Sequence, residues 1–478
     1  MQIPYLLILE WVVRLSMAVV IMVRRRSAAT ASAWLVVVAF VPLVGAVAYF
    51  LVGENRLGQR RSRQYERVVG QVSPADHLRE RYRRIVQPDL PFRFLSIARL
   101  AEAVGAGPPL GGNDLTLLSD TKETMQHLVA DIDGAAHHCH LLYYIFHEDP
   151  TGVSIAQALL RASQRGVSCR LLADAVGSKK FLSSSLRRDL QRGGVQVIEV
   201  MPVNPLRAAV ARVDLRNHRK LAVLDGRIAY AGSHNVSEPI YPRKARFGAW
   251  VDASVRVEGP AVHLLQDMFL QDWVFNGGQE LSDEDLFPPY DSPLEATSPV
   301  QVLPTGPSSP EAPLVDVMLQ AIRLAESRVV LTTSYFVPDE AILSAMRSAA
   351  LRGVQVVLVV PKHSDHWIAQ AAGRSHYGYL LDVGVEIFEF NDGLLHAKTL
   401  SIDRQFAVIG SANLDVRSFM LNFELALLVY DSDFASQVHY LQESYIHRSE
   451  GLVRHRWRKR GTTRVLLDNV AKLATPLL

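Results

Sequence analysis

Residues 217–235 read NHRKLAVLDGRIAYAGSHN, and residues 395–413 read LHAKTLSIDRQFAVIGSAN. Both follow one spacing: His-x-Lys, four residues, Asp, six residues, Gly-Ser-x-Asn, with every matched position 178 residues from its twin. The twins are His218 and His396, Lys220 and Lys398, Asp225 and Asp403, Ser233 and Ser411, Asn235 and Asn413. In an extended strand, residues i and i+2 face the same way, so each histidine shares a surface with its lysine. An ammonium repels a metal cation and attracts a phosphate. It supplies charge and donors, while an imidazole that titrates near 6.5 can attack phosphorus or exchange a proton. Gly-Ser-x-Asn adds a close-approaching backbone, a hydroxyl and an amide suited to phosphate oxygens. A lone His-x-Lys reads as an ordinary strand edge; duplication of the whole constellation reverses that reading.

Outward from the motifs the repeat continues. Residues 141–178, LLYYIFHEDPTGVSIAQALLRASQRGVSCRLLADAVGS, give strand, turn, helix, Arg165-Gly166-Val167, strand. Residues 329–366, VVLTTSYFVPDEAILSAMRSAALRGVQVVLVVPKHSDH, give the same order with Arg352-Gly353-Val354 at the matching turn. Apolar strands alternating with amphipathic helices predict an α/β layer structure in each half, with strands covered by helices. Residues 276–298 lack periodicity and collect Gly, Pro, Ser, Asp and Glu, as a linker does, before a strand-like VQVL at 300–303.

The totals suit two globular units with appendages. The chain has 478 residues, 49% apolar and 21% charged, which excludes a disordered chain and exceeds a single ordinary core. Net charge is only +3, but arginines cluster at 24–26, 56–67 and 454–460 beside apolar segments. That placement points to an anionic lipid surface rather than nucleic acid. Cys139 and Cys169 fall in neighbouring buried strands without the pattern of a disulfide framework. The run His137, His138, Cys139, His140 does not make a metal site, because adjacent residues of a strand point to alternate faces.

Residues 3–23 and 33–52 are each long and apolar enough to predict a bilayer span, with Glu10 and Arg14 four apart and able to pair. A transmembrane helical hairpin is the expectation, and the arginines in its loop and after it point to a cytoplasmic large domain. The expected organisation is this anchor over 1–55, a basic juxtamembrane connector over 56–110, a first domain over 111–284, a second over 285–450, and a basic amphipathic segment over 451–478. In that last segment Leu466, Val470, Leu473 and Leu477 recur at helical spacing, which suits either a membrane-contacting helix or one docked on the domain.

The motifs resemble those of the phospholipase D superfamily. With YYIF at 143–146, DAVGS at 174–178, YFVPDE at 335–340, SDH at 364–366, SANLDVRSFMLNFEL at 411–425 and LVGENRLGQRR after the paired apolar segments, the chain is similar to bacterial cardiolipin synthases nearly end to end. The resemblance implies two tandem phospholipase D-like α/β/α sandwich domains about a pseudo-twofold axis, joining both motifs in one site. It implies a covalent phosphatidyl-histidine intermediate, with His218 the nucleophile and His396 the acid and base, and no cofactor or metal. Lys220 and Lys398 would complete the catalytic set, with Asp225 and Asp403 serving the fold near the site. Ser233, Asn235, Ser411 and Asn413 would hold phosphate. Glu424 would orient the histidine of its own copy, His396, and Asp252 would orient His218. Phosphatidylglycerol is the implied substrate, with two molecules giving cardiolipin and glycerol, and the implied location is the bacterial inner membrane, as a multi-pass protein with a cytoplasmic catalytic domain. Alternatives are a hydrolase or a transferase using another alcohol, and a non-catalytic lipid-binding scaffold. Two departures from the family pattern are His234 inside Gly-Ser-x-Asn and VSEPIYPRKARFG after it.

Overall fold

The computed structural model describes residues 3–24, 28–53, 59–71, 88–202, 214–240, 247–281, 284–289, 298–307 and 312–473. Arg25, Arg26, Arg56, residues 282–283 and 290–297 of the linker, residues 241–246 and Leu477 lie outside that description.

Each half is built on the same seven strands in the same spatial order. From the outer edge inward, the first half runs Gln196–Val200, Ser168–Asp174, His138–Tyr143, Lys220–Leu224, Ile228–Gly232, Ser254–Glu258 and Leu110–Leu118. The second runs Glu386–Phe390, Gln355–Pro361, Arg328–Thr332, Thr399–Ile402, Phe406–Gly410, Glu424–Val429 and Ser298–Thr305. The outer three strands of each half are parallel and the rest antiparallel. The parallel pairs need helical crossovers, and the sequence supplies matched ones. Helix Pro150–Gln164 starts on Asp149, whose carboxylate accepts from Gly152 N; helix Glu340–Leu351 starts on Asp339, which accepts from Ile342 N. Each ends at its Arg-Gly-Val turn, where Gly166 and Gly353 take φ of 92° and 89°, a left-handed backbone that glycine adopts without strain. The preceding Arg165 and Arg352 then reach back to carbonyls that close the neighbouring helix, Ile132 and Ala135 in one half, Ile322 and Ala325 in the other.

The expectation of two sandwiches needs one correction. Leu110–Leu118 pairs antiparallel with Ser298–Thr305, so the fourteen strands, with Ser449–Gly451 added antiparallel outside Glu386–Phe390, fuse into a single 15-stranded sheet. That pairing removes two strand edges that separate domains would leave exposed. Helix Ala261–Phe275, buried on nearly every side, covers the first half. Phe94, Ile97 and Ala101, although N-terminal to the first strand, pack into the core of the second half beside Leu314 and Met318. Cys139 and Cys169 are register partners on adjacent strands, buried and unbonded to each other.

The N-terminal hairpin is also corrected. Residues 3–23 form one helix, Ile3–Val23, with Glu10 and Arg14 paired at 3.1 Å. Arg14 also donates to the Ala39 carbonyl. The second apolar stretch divides before Pro42 into Ala28–Phe40 and Pro42–Val52, helices of 13 and 11 residues that reach about 20 Å and 17 Å, short of a hydrocarbon core of about 30 Å. Among the described residues, no helix is long and apolar enough to cross a membrane. The arginine count therefore no longer assigns a side. The three helices pack through Met17, Ile21, Trp34, Val38 and Tyr49, and leave Leu7, Ile8, Trp11, Leu15 and Val44 turned outward.

Candidate active site

His218 sits two residues before the central strand Lys220–Leu224 and His396 three before Thr399–Ile402, and the backbone explains how they come together. His218 N donates to the Phe423 carbonyl at 2.8 Å, and Phe423 N donates to the Arg216 carbonyl. Symmetrically, His396 N donates to the Val251 carbonyl, and Leu394–Leu395 pairs with Trp250–Val251. Each motif is thereby stitched to the segment of the opposite half that carries the acid.

The acids consequently cross over. His396 Nδ1 lies 2.5 Å from Asp252 Oδ1, and His218 Nδ1 lies 3.3 Å from Glu424 Oε1. This corrects the expected partners: Asp252 serves His396 and Glu424 serves His218. Sequence proximity suggested the wrong pairing because inter-half strand pairing, not chain order, sets the geometry. Burial raises the proton affinity of both carboxyls, but the facing imidazole outweighs it and holds each below its usual range. Both therefore stay ionised, able to fix the Nδ1–H tautomer and leave Nε2 for the reacting centre.

The serines are a second correction. Ser233 Oγ donates to Asp252 at 2.6 Å and accepts from Ala253 N; Ser411 Oγ donates to Glu424 at 2.6 Å and accepts from Leu425 N. Their hydroxyls are committed to the orienting acids instead of a phosphate. The preceding glycines serve close strand approach: a Cβ on Gly410 would stand 2.2 Å from the Leu425 carbonyl oxygen, and one on Gly232 2.4 Å from Ser254 Cα. Asn235 Oδ1 accepts from Ile145 N, whereas Asn413 Oδ1 is buried without a hydrogen-bond partner among the described residues.

Asp225 and Asp403 do not join the histidines. Each lies beyond the far end of its strand. Asp225 accepts from the backbone of Ala136, His137 and His138, and Asp403 from that of Glu326, Ser327 and Arg328. A strand of four or five residues separates them from the lysines, so their work is to latch a turn.

The lysines do face the site. Lys220 Nζ donates to the His218 carbonyl at 2.5 Å; Lys398 Nζ donates to the His396 carbonyl and to Ser334 Oγ. Each keeps donors to spare. Burial lowers both; for Lys398, Asp252 opposes the shift and Lys220 adds to it, leaving it at about 7, so the two motifs are within electrostatic reach of one another. Burial, then Lys398, brings His396 down to about 4. Asp252 and Glu424 balance the charge of the two lysines, whose spare N–H donors remain for a phosphoryl group.

Sequence reading missed three neighbours. The Tyr144 ring lies 4.2 Å from that of His218, and the Trp250 ring 4.4 Å from that of His396. Arg219 is fully buried, paired with Asp272 at 2.8 Å and donating to the Glu424 and Thr305 carbonyls across the halves. Its place between His218 and Lys220 was the available signal. His234, by contrast, is buried against Ser254 Oγ at 2.9 Å, a packing position.

A duplicated α/β lobe with paired His-x-Lys motifs, each facing the other lobe's carboxylate, agrees with the phospholipase D-like resemblance of the sequence. Comparison with known proteins narrows this. The family described as cardiolipin synthase, PLD-like domain, matches residues 128–273 and 318–444, and the phospholipase D-nuclease N-terminal family matches residues 15–54. The cardiolipin synthase A of Serratia proteamaculans (strain 568) is 34% identical over 474 residues, 98% of this chain and 97% of that protein. That of Erwinia tasmaniensis is 34% identical over 481 residues with the same shares. Among solved structures, phosphatidylserine synthase from Haemophilus influenzae Rd KW20 superposes with a TM-score of 0.60 at 14% identity, covering 80% of this chain and all of that one, a likeness of fold. The chain belongs to the cardiolipin synthase family.

Proposed function

We propose that the protein moves a phosphatidyl group from one phosphatidylglycerol to the headgroup hydroxyl of a second, releasing glycerol and forming cardiolipin. The observation that carries this is the crossed pair of imidazole–carboxylate dyads, His218 with Glu424 and His396 with Asp252, ringed by Lys220 and Lys398. In the first step His218 Nε2 attacks phosphorus and the bond to the headgroup glycerol breaks. The glycerol leaves with a proton from His396, and phosphatidyl-His218 remains. In the second, the hydroxyl of the other phosphatidylglycerol gives its proton to His396 and attacks phosphorus, breaking the P–N bond. One phosphodiester replaces another, so no external energy source is required. The lysines neutralise the phosphoryl oxygens throughout.

The outward apolar faces of the N-terminal helices support association with a bacterial membrane, where both substrates reside. The test uses phosphatidylglycerol labelled in its headgroup. Cardiolipin and labelled glycerol in equal amounts are expected; phosphatidic acid in place of cardiolipin would assign the protein to hydrolysis instead.

A further inference from the structure

The C-terminal helix Thr462–Leu473 is built inside out. Asp468 and Ala471 are buried, Ala471 packing beside Val337 and Ala372, while Leu466, Leu467, Val470 and Leu473 are 63%, 62%, 55% and 74% exposed. At 100° per residue Leu466, Val470 and Leu473 lie on the face opposite Asp468 and Ala471, with Leu467 at the border between them. A helix folding against water does the reverse, burying its leucines and exposing its aspartate. The inward aspartate is satisfied by Arg460 at 2.6 Å, and Arg460 stacks 3.6 Å over Trp457, so the helix is clamped in this orientation by specific contacts. Four large aliphatic side chains on one turned-out ridge call for an apolar partner.

Charge identifies that partner. Arg464 and Lys472 flank the ridge, and exposed Arg456 and Lys459 precede it. Twelve residues reach about 18 Å, too short to span a bilayer but suited to lying in its interface. The ridge is also linked to the site through the elements it packs on. Its helix docks on helix Trp367–Asp382, whose first residue, Trp367, is 71% exposed and follows the Ser364–His366 loop. There Asp365 accepts from the Tyr335 hydroxyl at 2.5 Å, and Tyr335 in turn lies within electrostatic reach of Tyr144, the ring over His218.

We propose that this aliphatic ridge, together with Trp367, seats the second half on an anionic bilayer surface and turns the entrance of the histidine pair toward the lipid. The inference deepens the reading of the site as one that acts on membrane lipid, and rests on it. Basic flanks beside an aliphatic ridge match acidic headgroups above acyl chains; a second copy of the chain would bring the same cations against one another.

The test uses the full chain bound to vesicles of phosphatidylglycerol and phosphatidylcholine. Cys139 and Cys169 are buried, so L467C gives a single accessible site for an environment-sensitive fluorophore. The label is expected to be quenched by lipids carrying a spin label in the acyl chain. Replacing Leu466, Leu467, Val470 and Leu473 by serine is expected to lower turnover of vesicular phosphatidylglycerol about tenfold while leaving turnover of a monomeric short-chain phosphatidylglycerol unchanged. A label that lipid does not quench, unchanged turnover on vesicles, or a label protected only when two copies crosslink through this ridge overturns the proposal. If the unsubstituted protein turns over neither lipid form yet the label is quenched, the docking surface stands and the catalytic reading falls.

Discussion

The two histidines occupy equivalent places in duplicated frameworks, yet their surroundings differ in kind. Two residues before each orienting acid stands Trp250 in the first half and Asn422 in the second. Trp250 covers His396, which meets Asp252 at 2.5 Å, while His218 Nδ1 stands 3.3 Å from Glu424 Oε1, with the Asn422 side chain beside it. The Tyr144 ring stands beside Lys220 and His218, whereas Ser334 stands beside Lys398. Between histidine and lysine stands the ion-paired Arg219 in one half and the buried Ala397 in the other. His396 is also the less exposed ring, at 12% against 23%. Duplication fixed the reacting atoms, and divergence then gave one ring an apolar roof with a single strong partner and the other a wetter, shared environment. The two are therefore not interchangeable.

The largest effect tests whether both are needed. His218→Ala and His396→Ala should each lower cardiolipin formation by about 10^3-fold or more with the melting temperature little changed, and a trapped phosphoryl adduct should map to His218 in the wild type. An adduct on His396 would invert the roles. The next effect probes the crossed acids. Asp252→Asn should cost about 100-fold in kcat and Glu424→Gln about tenfold, because Asp252 lies 2.5 Å from the Nδ1 of His396 whereas Glu424 lies 3.3 Å from that of His218. Equal losses would mean that the asymmetry of the partners has no catalytic weight.

A third prediction follows from the low proton affinity of His396. Burial and Lys398 hold it down to about 4 in the empty site, so at neutral pH it lacks the proton that the departing glycerol needs. A phosphodiester anion lodged among Lys220, Lys398 and the two rings raises it. Binding of glycerophosphoglycerol, whose diester does not titrate in this range, should therefore take up close to one proton. The affinity should rise as pH falls below the bound-state value and level off below about 4, where the free ring is already charged. Calorimetry in buffers of unlike ionisation enthalpy measures the uptake. Its absence would fit His396 as the attacking base and pass the acid's part to His218.

Much of this was legible in the chain. The two His-x-Lys motifs, the repeat and the matched Arg-Gly-Val turns are local patterns of alternation and spacing, and local patterns survive in sequence. The crossed acids were not, because Asp252 and Glu424 reach their histidines through strand pairing between halves, which a one-dimensional reading does not contain. The serines misled for a related reason: a hydroxyl next to a phosphate site suits an oxygen acceptor, but a carboxylate from the adjacent strand claims it first. Hydropathy overstated the second N-terminal segment, since Pro42 divides what composition alone reads as continuous.

The remaining comparison concerns the motif aspartates and should leave turnover per folded molecule within about twofold. Asp225 and Asp403 both take positive φ, 52° and 51°, a region that asparagine tolerates, so Asn substitution removes the charge and keeps the turn. Asp225 accepts three backbone amides. Asp403 accepts three as well, together with the Ser327 hydroxyl and Arg93, which reaches it from the segment before the first strand. Asp403→Asn should therefore cost more, about 2–3 kcal/mol against about 1–2 kcal/mol for Asp225→Asn. Burial works against the Asp403 charge, but the amides and Arg93 prevail and hold it down to about 2, below the ordinary 3.8. A depressed carboxylate stabilises fully above its unfolded value and loses that contribution as pH falls toward its folded one. Between pH 7 and about 4 the gap in melting temperature between wild type and Asp403→Asn should hold constant, and from about 4 to 2 it should close. A gap that stayed constant to pH 2 would mean that the turn is held by its shape and not by the charge.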